Sequence, residues 1–297
     1  MMRRLPPRAL EVRAAMTKPV RTTTLPSGAA MPALGQGTWH MGDRPGRRSS
    51  EIAALRLGLD LGMTLIDTAE MYGDGAAEVL VGEAIAGRRN EVFLVSKVLP
   101  HNATRRGTRA ACEASLRRLG TDRIDLYLLH WPGSVALEET IQGFEDLTAS
   151  GRILHWGVSN FDVEDMKALD DAAGGDGVAA NQVLYNLADR GIEFDLLPWS
   201  ARHGLPVMAY SPIEQGRLLM HPALKTIATR HAGATPAQVA LAFVLRHDHV
   251  CAIPQAGTPA HVAENRAALD LVLTEQDLAD LDRAFPPPKA KRQLAMI

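Results

Sequence analysis

The sequence predicts a single-domain (β/α)8 barrel, the TIM-barrel fold, with a β-hairpin in front of it. Three observations support this prediction: apolar runs of strand length recur along the chain, segments with helical spacing separate them, and no linker divides the 297 residues. Strands that are apolar almost throughout are typical of parallel sheets covered by helices on both faces. Eight strand-helix units are the number that closes such a sheet into a barrel.

The strands follow one another from residue 21, where we place the start of the barrel domain. The segment TLPSGAAMP has a Pro-Ser-Gly turn between two short runs, which predicts the hairpin. Eight candidate strands come next, and each ends in polar residues. They are PALGQGTW, TLIDTA, VFLVSK, IDLYLLH, ILHWGVSN, GVAANQVLYN, LPVMAYSP and VCAIPQAG, with ends near residues 39, 67, 97, 130, 160, 182, 211 and 255.

Helical spacing fills the intervals between these strands. In SSEIAALRLGLDLG, Ile52, Leu55 and Leu59 share one face, and TRAACEASLRRLG repeats the pattern. A glycine ends both segments, as is common at helix C-termini. The last interval is the longest because HPALKTIATRHAG and TPAQVALAFVLRH both have helical patterns. A doubly wound sheet would need fewer strands or a second domain, so the barrel is the better interpretation.

The composition is that of a globular protein, with 46% hydrophobic and 22% charged residues. A net charge of −2 gives no general attraction to nucleic acid or to anionic membranes, and we expect neither as a partner. Cys112 and Cys251 lie far apart, and neither they nor the histidines have metal-ligand spacing, so we expect packed thiols and no metal site. Unpaired thiols suit a reducing compartment, and we expect a cytoplasmic monomer.

The first 20 residues, MMRRLPPRALEVRAAMTKPV, contain prolines and scattered arginines. An export signal would need an apolar run of roughly 7 to 15 residues after the arginines, and none follows. We therefore interpret residues 1–20 as a disordered extension. No later stretch reaches the roughly 18 apolar residues that a membrane helix requires.

Four titratable residues fall at or just after the ends of neighbouring strands. Asp67 ends the second strand and Tyr72 lies in the loop after it, while Lys97 and His130 end the third and fourth strands. Each alone has a structural explanation, such as a helix cap or a buried histidine. Because the carboxyl ends of barrel strands carry the active site, the four together indicate one.

These four residue types suit the protonation of an oxyanion. Tyrosine has an ordinary pKa of about 10, and a cation beside Tyr72 would lower it. Lys97 would supply that cation, and Asp67 would keep it charged when buried. His130 would donate a hydrogen bond to a carbonyl oxygen and orient it.

Eight motifs of the chain match one known family in order. They are LGQGTWHMG, LIDTAEMYGDG, LVSK, DLYLLHWPG, WGVSN, NQVLYN, MAYSP and HVAEN. From about Thr24 onward the chain resembles the aldo-keto reductases, and it looks most like the short-looped bacterial members of the methylglyoxal reductase type. The resemblance implies hydride transfer from a nicotinamide cofactor to an aldehyde or ketone. It also implies that Tyr72 is the general acid, that Lys97 and Asp67 tune it, and that His130 positions the carbonyl.

The resemblance further implies a set of cofactor contacts. Ser159, Asn160 and Gln182 resemble the groups that hold the nicotinamide carboxamide, and Tyr210 resembles the ring that stacks on the nicotinamide. The contacts toward the pyrophosphate would be Ser211, Pro212, Gly216 and Arg217, and those at the adenosine end would be Gln255, Thr258, His261, Glu264 and Asn265. No GxGxxG motif opens a helix, so the dinucleotide would not bind as in a Rossmann fold.

The adenosine end departs from the family pattern. Where members often hold the 2′-phosphate with lysine, serine and arginine, this chain has Gln255, Ala256 and His261. Phosphate is normally met by arginine or lysine, and the candidates here are His261, Thr258, the backbone amides after Ala256, and Arg266. Since no acidic residue stands there to repel the phosphate, we expect NADPH as the cofactor and keep NADH as an alternative.

Trp39 and Trp131 are placed to form the walls of an apolar substrate pocket, which Met71 and His40 would border. Both tryptophans could instead be packing residues. The segment after Trp131 and the tail PPPKAKRQLAMI are short, which predicts an open site that accepts small or aromatic aldehydes and dicarbonyls.

Two other functions fit parts of the pattern. An aldolase-type barrel would use Lys97 as a Schiff-base nucleophile, but that chemistry needs a neutral lysine and Asp67 would keep it charged. A non-catalytic relative would bind the nucleotide as a sensor, and the presence of all four catalytic residue types argues against it.

Overall fold

The computed structural model describes residues 18–297. Most of the predicted disordered extension, residues 1–17, lies outside the described residues. Among those described, no helix is long and apolar enough to cross a membrane.

A two-stranded antiparallel hairpin precedes the barrel, as predicted. Strand β1 (Thr22–Thr24) pairs with β2 (Ala30–Pro32), and the Leu25 amide donates to the Ala29 carbonyl across the turn. Leu25 and Met31 are buried in the same apolar cluster as the inward-facing barrel residues. The hairpin therefore packs against the interior of the barrel.

Eight parallel strands form the barrel and pair in chain order. They are β3 (Gln36–Gly37), β4 (Leu65–Asp67), β5 (Phe93–Val98), β6 (Ile124–Leu129), β7 (Ile153–Ser159), β8 (Val178–Leu184), β9 (Val207–Tyr210) and β10 (Val250–Ala252). Backbone bridges from Leu34 to Ala252 and from Gly37 to Gln255 join the first strand to the last and close the sheet. Glycine is needed at Gly37 because a Cβ there would lie 2.7 Å from the Ile253 carbonyl oxygen. The predicted fold class is confirmed.

The α-helices surround the strands on the outside. They are α1 (Arg48–Asp60), α2 (Ala76–Ile85), α3 (Arg105–Leu119), α4 (Leu137–Ala149), α5 (Val163–Asp171), α6 (Leu196–Arg202), α7 (Pro222–Arg230), α8 (Pro236–Val244), α9 (Pro259–Ala267) and α10 (Glu275–Ala284). The long interval before β10 holds the two expected helices, α7 and α8. Helix α3 ends at Gly120, whose φ of 62° is the left-handed conformation expected of a terminating glycine.

Two apolar clusters make up the core. The larger lies between the sheet and the helices, and the smaller fills the barrel with residues such as Leu65, Val95 and Met208. Cys112 and Cys251 are both buried and unpaired, and burial raises the pKa of the Cys112 thiol to about 12. The two thiols therefore pack as apolar groups, as predicted.

Candidate active site

A cavity of about 740 Å³ opens at the carboxyl ends of the barrel strands. Asp67 ends β4, His130 follows β6 directly, and Tyr72 lies in the loop after β4, and all three line this cavity. Lys97, in β5, lies beneath the cavity and is fully buried. The strand-end pattern of the sequence thus brings the four predicted residues to one place.

The ammonium group of Lys97 is the centre of this cluster. It donates to three oxygen atoms: Asp67 Oδ2 at 2.8 Å, the Thr68 carbonyl at 2.9 Å and the Tyr72 hydroxyl at 3.1 Å. A lysine has three N–H donors, so every one of them has a partner. Burial lowers the pKa of Lys97, but the contacts with Asp67 and Tyr72 outweigh it and leave that pKa above its usual value. Lys97 is therefore charged.

Asp67 is held on all sides. Its second carboxylate oxygen accepts from Gln182 Nε2 at 2.7 Å, and its backbone carbonyl accepts from the Thr38 hydroxyl at 2.9 Å. The contact with Gln182 crosses the barrel from β8 to β4. Asp67 therefore links the ammonium of Lys97 to a residue that the family resemblance places at the nicotinamide.

The loop after β4 turns sharply to bring Tyr72 back over Lys97. Gly73, Asp74 and Gly75 have positive φ values of 56°, 51° and 90°, which glycine and, less readily, aspartate adopt. A Cβ at Gly75 would lie 2.5 Å from the Arg118 side chain. The sequence YGDG is thus the local reason for the position of the tyrosine.

The expected lowering of the Tyr72 pKa is wrong for this site. Burial raises the pKa of the Tyr72 phenol, the Lys97 charge lowers it and the Asp67 charge raises it, and the net pKa lies above its usual value. Burial destabilises the phenolate more than one neighbouring cation stabilises it. Tyr72 consequently carries its proton at neutral pH and suits a proton donor.

His130 lies beside Tyr72, with ring centroids 5.8 Å apart in an edge-on arrangement. Burial, followed by the charge of Lys97, lowers the pKa of His130 to about 2, so its imidazole is neutral. A neutral imidazole has one N–H to donate. Within residues 18–297, its buried Nδ1 has no hydrogen-bond partner.

The residues implied at the nicotinamide carboxamide lie together at the cavity wall. Asn160 Nδ2 donates to the His130 carbonyl at 3.0 Å, and Asn160 Oδ1 accepts from the Tyr210 hydroxyl at 2.9 Å. The Ser159 hydroxyl donates to the Gln182 carbonyl at 2.8 Å. These bonds, with that of Gln182 to Asp67, connect the group to the catalytic cluster.

Most residues implied at the pyrophosphate also reach the cavity. Ser211, Pro212 and Gly216 line it, in a loop where Ser211, Glu214 and Gln215 have positive φ. Arg217 does not line the cavity, because its guanidinium pairs with Glu214. The structure therefore leaves this part of the cavity without an arginine.

Four residues implied at the adenosine end line the cavity: Gln255, His261, Glu264 and Asn265. Thr258 does not line it, and its hydroxyl instead caps α9 by accepting from the His261 amide at 3.4 Å. Arg266 is turned away, since it donates to the Leu61 carbonyl at 3.1 Å and to the Lys18 carbonyl. The suggestion that Arg266 meets the 2′-phosphate is therefore wrong.

The implied substrate residues Trp39, His40, Met71 and Trp131 all line the cavity. Trp39 and His40 stack with centroids 4.2 Å apart.

Sequence reasoning missed part of this wall. Met296 and Ile297, at the end of the short tail, line the cavity and were not among the predicted residues. Twelve residues follow Phe285, and an extended chain of that length spans about 40 Å. The length of the tail was therefore the sequence feature that could have indicated its place in the cavity wall. Ile213, Gln215 and Leu219 also line the cavity without having been predicted.

Removal of the carboxylate partner of Lys97 is expected to destabilise the fold. Asp67→Asn leaves a buried ammonium without its counter-charge, and we expect the free energy of unfolding to fall by about 3–5 kcal/mol. Urea denaturation at neutral pH measures it. Asp43→Asn is the control, since the Asp43 side chain is 35% exposed and pairs with His40. Equal effects of the two substitutions would contradict a buried ion pair that supports the site.

Comparisons with known proteins agree with this geometry. The model of the aldo/keto reductase family matches residues 33–285. The chain is 55% identical over 273 residues to the methylglyoxal reductase YeaE of Escherichia coli (strain K12), covering 90% of this chain and 96% of that protein. It is 32% identical over 255 residues to the methylglyoxal reductase DkgB of Salmonella typhimurium, covering 83% and 90% of the two chains.

A solved structure is similar over nearly the whole chain. The crystal structure of an aldo/keto reductase from Klebsiella pneumoniae, in complex with NADP and acetate, superposes with a TM-score of 0.91 at 53% identity. The superposition covers 93% of this chain and 99% of that one. With a family model that matches most of its length and relatives this similar, the chain belongs to the aldo/keto reductase family.

Proposed function

We propose that this protein reduces small, uncharged aldehydes and dicarbonyls, methylglyoxal among them, to alcohols with NADPH. The observation that carries the proposal is the Lys97 ammonium, bonded to both Asp67 and the Tyr72 hydroxyl beneath a cavity that Tyr72 and His130 both line. The names of its relatives support the substrate class. Uncharged substrates are favoured because, among the described residues that line the cavity, none is lysine or arginine.

The residues present fit a nicotinamide dinucleotide. One continuous cavity is lined both by Tyr72 and by Glu264 and Asn265, so the residues implied for the two ends of the dinucleotide share one site. Ser159, Asn160 and Gln182 would hold the carboxamide, and the Tyr210 ring would stack on the nicotinamide. When bound, NADPH supplies the hydride that goes to the carbonyl carbon.

Protonation of the carbonyl oxygen is the task of the protein. Tyr72 carries its proton on the phenolic oxygen and donates it to the carbonyl oxygen as negative charge develops there. The Lys97 ammonium, held charged by Asp67, stabilises the phenolate that remains through its existing hydrogen bond. His130 is neutral and donates a hydrogen bond that orients the carbonyl oxygen toward Tyr72.

This arrangement opposes the aldolase-type alternative. A Schiff-base nucleophile must present a neutral amine with a free lone pair. The Lys97 amine is charged, and its three donors are bound to three oxygen atoms. The sensor alternative instead predicts that the wild-type protein binds NADPH but consumes no carbonyl compound.

Action as a monomer in the cytoplasm stays a prediction. The unpaired thiols of Cys112 and Cys251 support a reducing compartment. A single chain brings together the catalytic cluster and the residues implied for the cofactor, which supports a monomer that needs no partner to complete its site.

Replacement of the general acid tests the function. We expect Tyr72→Phe to lower kcat for methylglyoxal or 4-nitrobenzaldehyde by roughly 10²- to 10⁴-fold, because the proton donor is lost. The dissociation constant for NADPH, measured by protein fluorescence, should stay nearly the same, since the phenol acts on the carbonyl. Tyr127→Phe is the matched control, since Tyr127 is buried in the core and does not line the cavity.

Two results would reject the proposal. A wild-type protein that consumes neither carbonyl compound with NADPH would reject the reductase and favour the sensor. A Tyr72→Phe variant that loses turnover and NADPH binding equally would reject the role of Tyr72 as the acid.

The adenosine end predicts a modest preference for NADPH over NADH. His261, Gln255 and Glu264, the last implied as an adenine contact, line this part of the cavity. A second acid, Glu51, lies close to Gly257 but is buried and accepts from the Gly42 amide. We expect His261→Arg to raise the ratio of kcat/KM for NADPH over NADH about tenfold, since a charge-assisted bond to phosphate is added. His101→Arg, on an exposed residue that does not line the cavity, is the control. A wild-type preference for NADH would overturn the choice of NADPH.

The pKa shifts of His130 and Tyr72 predict that kcat/KM changes little with pH around neutrality. His130, with a pKa lowered to about 2, stays neutral at all working pH values, and Tyr72, with a raised pKa, stays protonated until strongly alkaline pH. We therefore expect kcat/KM for 4-nitrobenzaldehyde reduction to be constant from roughly pH 6 to pH 9 and to fall only at higher pH, as the phenol ionises. An inflection near pH 6.5 that His130→Gln removes would contradict this assignment.

A further inference from the structure

The C-terminal segment after α10 crosses to the cavity without forming a helix or a strand. Its start is held by Arg190, which donates to the Phe285 carbonyl at 2.6 Å. Its last two described residues, Met296 and Ile297, line the cavity. Between these points the segment needs attachments of its own, because a coil without backbone pairing is otherwise free to move.

One attachment is Lys291, whose ammonium lies between two carboxylates. It is 3.6 Å from Asp162 Oδ2 and 3.5 Å from Asp195 Oδ2. Each acid uses its other oxygen in the helix that follows it. Asp162 Oδ1 accepts from the amides of Glu164 and Asp165 at the start of α5, and Asp195 Oδ1 accepts from the Leu196 amide at the start of α6.

The two carboxylates are therefore rigid anchor points. A capping carboxylate is fixed by its helix, so the lysine pays little entropy to order its partners. Burial lowers the pKa of Lys291, but Asp162 and Asp195 raise it more, so the ammonium stays charged.

Beyond Lys291 the segment turns into the site. Leu294 packs against the larger apolar cluster. Burial raises the pKa of Tyr210, and the backbone of Ile297 nearby partly offsets that rise. The end of the segment thus lies in the same cavity as Tyr210, whose hydroxyl donates to Asn160, and it forms an apolar part of the cavity wall.

We propose that Lys291 is a positioning residue that fastens the C-terminal segment over the cavity and thereby sets the affinity for the carbonyl substrate. This proposal rests on the proposed reductase function. While the charged Lys291 holds the segment, Met296 and Ile297 stay in the cavity wall and remove apolar substrate surface from water. Without it, Leu294 and the weaker attraction of Arg292 to Asp189 remain as attachments of this part of the segment. The chemical step is unaffected because, among the described residues, no hydrogen bond or ion pair joins the segment to Tyr72, Lys97 or Asp67.

Kinetics with saturating NADPH test the effect on substrate. For Lys291→Met we expect KM for 4-nitrobenzaldehyde to rise roughly three- to tenfold, the range that two exposed ion pairs allow, with kcat unchanged within about twofold. Lys291→Arg should restore the wild-type KM. Lys289→Met, on an exposed lysine two residues earlier, is the matched control. Added NaCl should raise the wild-type KM toward that of Lys291→Met and leave the variant unchanged.

Hydrogen exchange tests the fastening without turnover. We expect the backbone amides of residues 293–297, followed by mass spectrometry, to exchange faster in Lys291→Met than in the wild type, Lys291→Arg or Lys289→Met. Unchanged exchange in Lys291→Met would overturn the proposal, as would faster exchange with an unchanged KM. A wild-type protein that reduces no carbonyl compound would reject the reductase function instead, and the effect on substrate would fall with it.

Discussion

The buried ammonium of Lys97 is the constraint on which the rest of the site depends. A charge at full burial is tolerated only if every donor is satisfied and a carboxylate lies beside it. Parallel pairing aligns Asp67 with Val95, so Lys97 stands two residues further along β5, on the same face and next to the Asp67 carboxylate. The backbone register therefore delivers the pair, and the turn at YGDG delivers Tyr72 as the remaining hydroxyl partner.

The parts of the site predicted from sequence are those that follow from strand ends. Asp67, Lys97 and His130 could be brought together because parallel strands place their carboxyl ends on one face of the barrel. The contact between Gln182 and Asp67 could not be predicted in this way, because it crosses the barrel between strands that are not neighbours. The two side chains come within reach only when the sheet is closed. The reach of the C-terminal segment was missed for a related reason, because an irregular segment has no periodicity that reports its path.

Two expectations were wrong: the lowering of the Tyr72 pKa and the placing of Arg266 at the phosphate. Both depend on burial and side-chain orientation in the folded protein, which the sequence does not give. A lysine beside a tyrosine lowers the phenol pKa in principle, but around Tyr72 burial is the larger influence, and burial is a property of the folded packing. Arg266 was a candidate for the 2′-phosphate because phosphate is normally met by arginine or lysine. Its position on α9 points it toward the Leu61 carbonyl, and a one-residue shift on a helix turns a side chain by about 100°.

Two hydrogen-bonded series meet at the cavity, and together they make the site one mechanical unit. One runs from Tyr72 through Lys97 and Asp67 to Gln182, and the other runs from His130 through Asn160 to Tyr210. Ile297 lines the cavity beside Tyr210, at the end of the second series. Asn160 and Tyr210 therefore lie between His130, which orients the substrate, and the C-terminal segment. The proton donor belongs to the first series, to which no hydrogen bond or ion pair of the described C-terminal residues runs. Within residues 18–297, hydrogen bonds link the two series through Ser159 and Gln182, so several hydrogen bonds lie between the segment's end of the site and Tyr72. This distance along the network is the physical reason why loosening the segment should weaken substrate binding while the protonation step keeps its geometry.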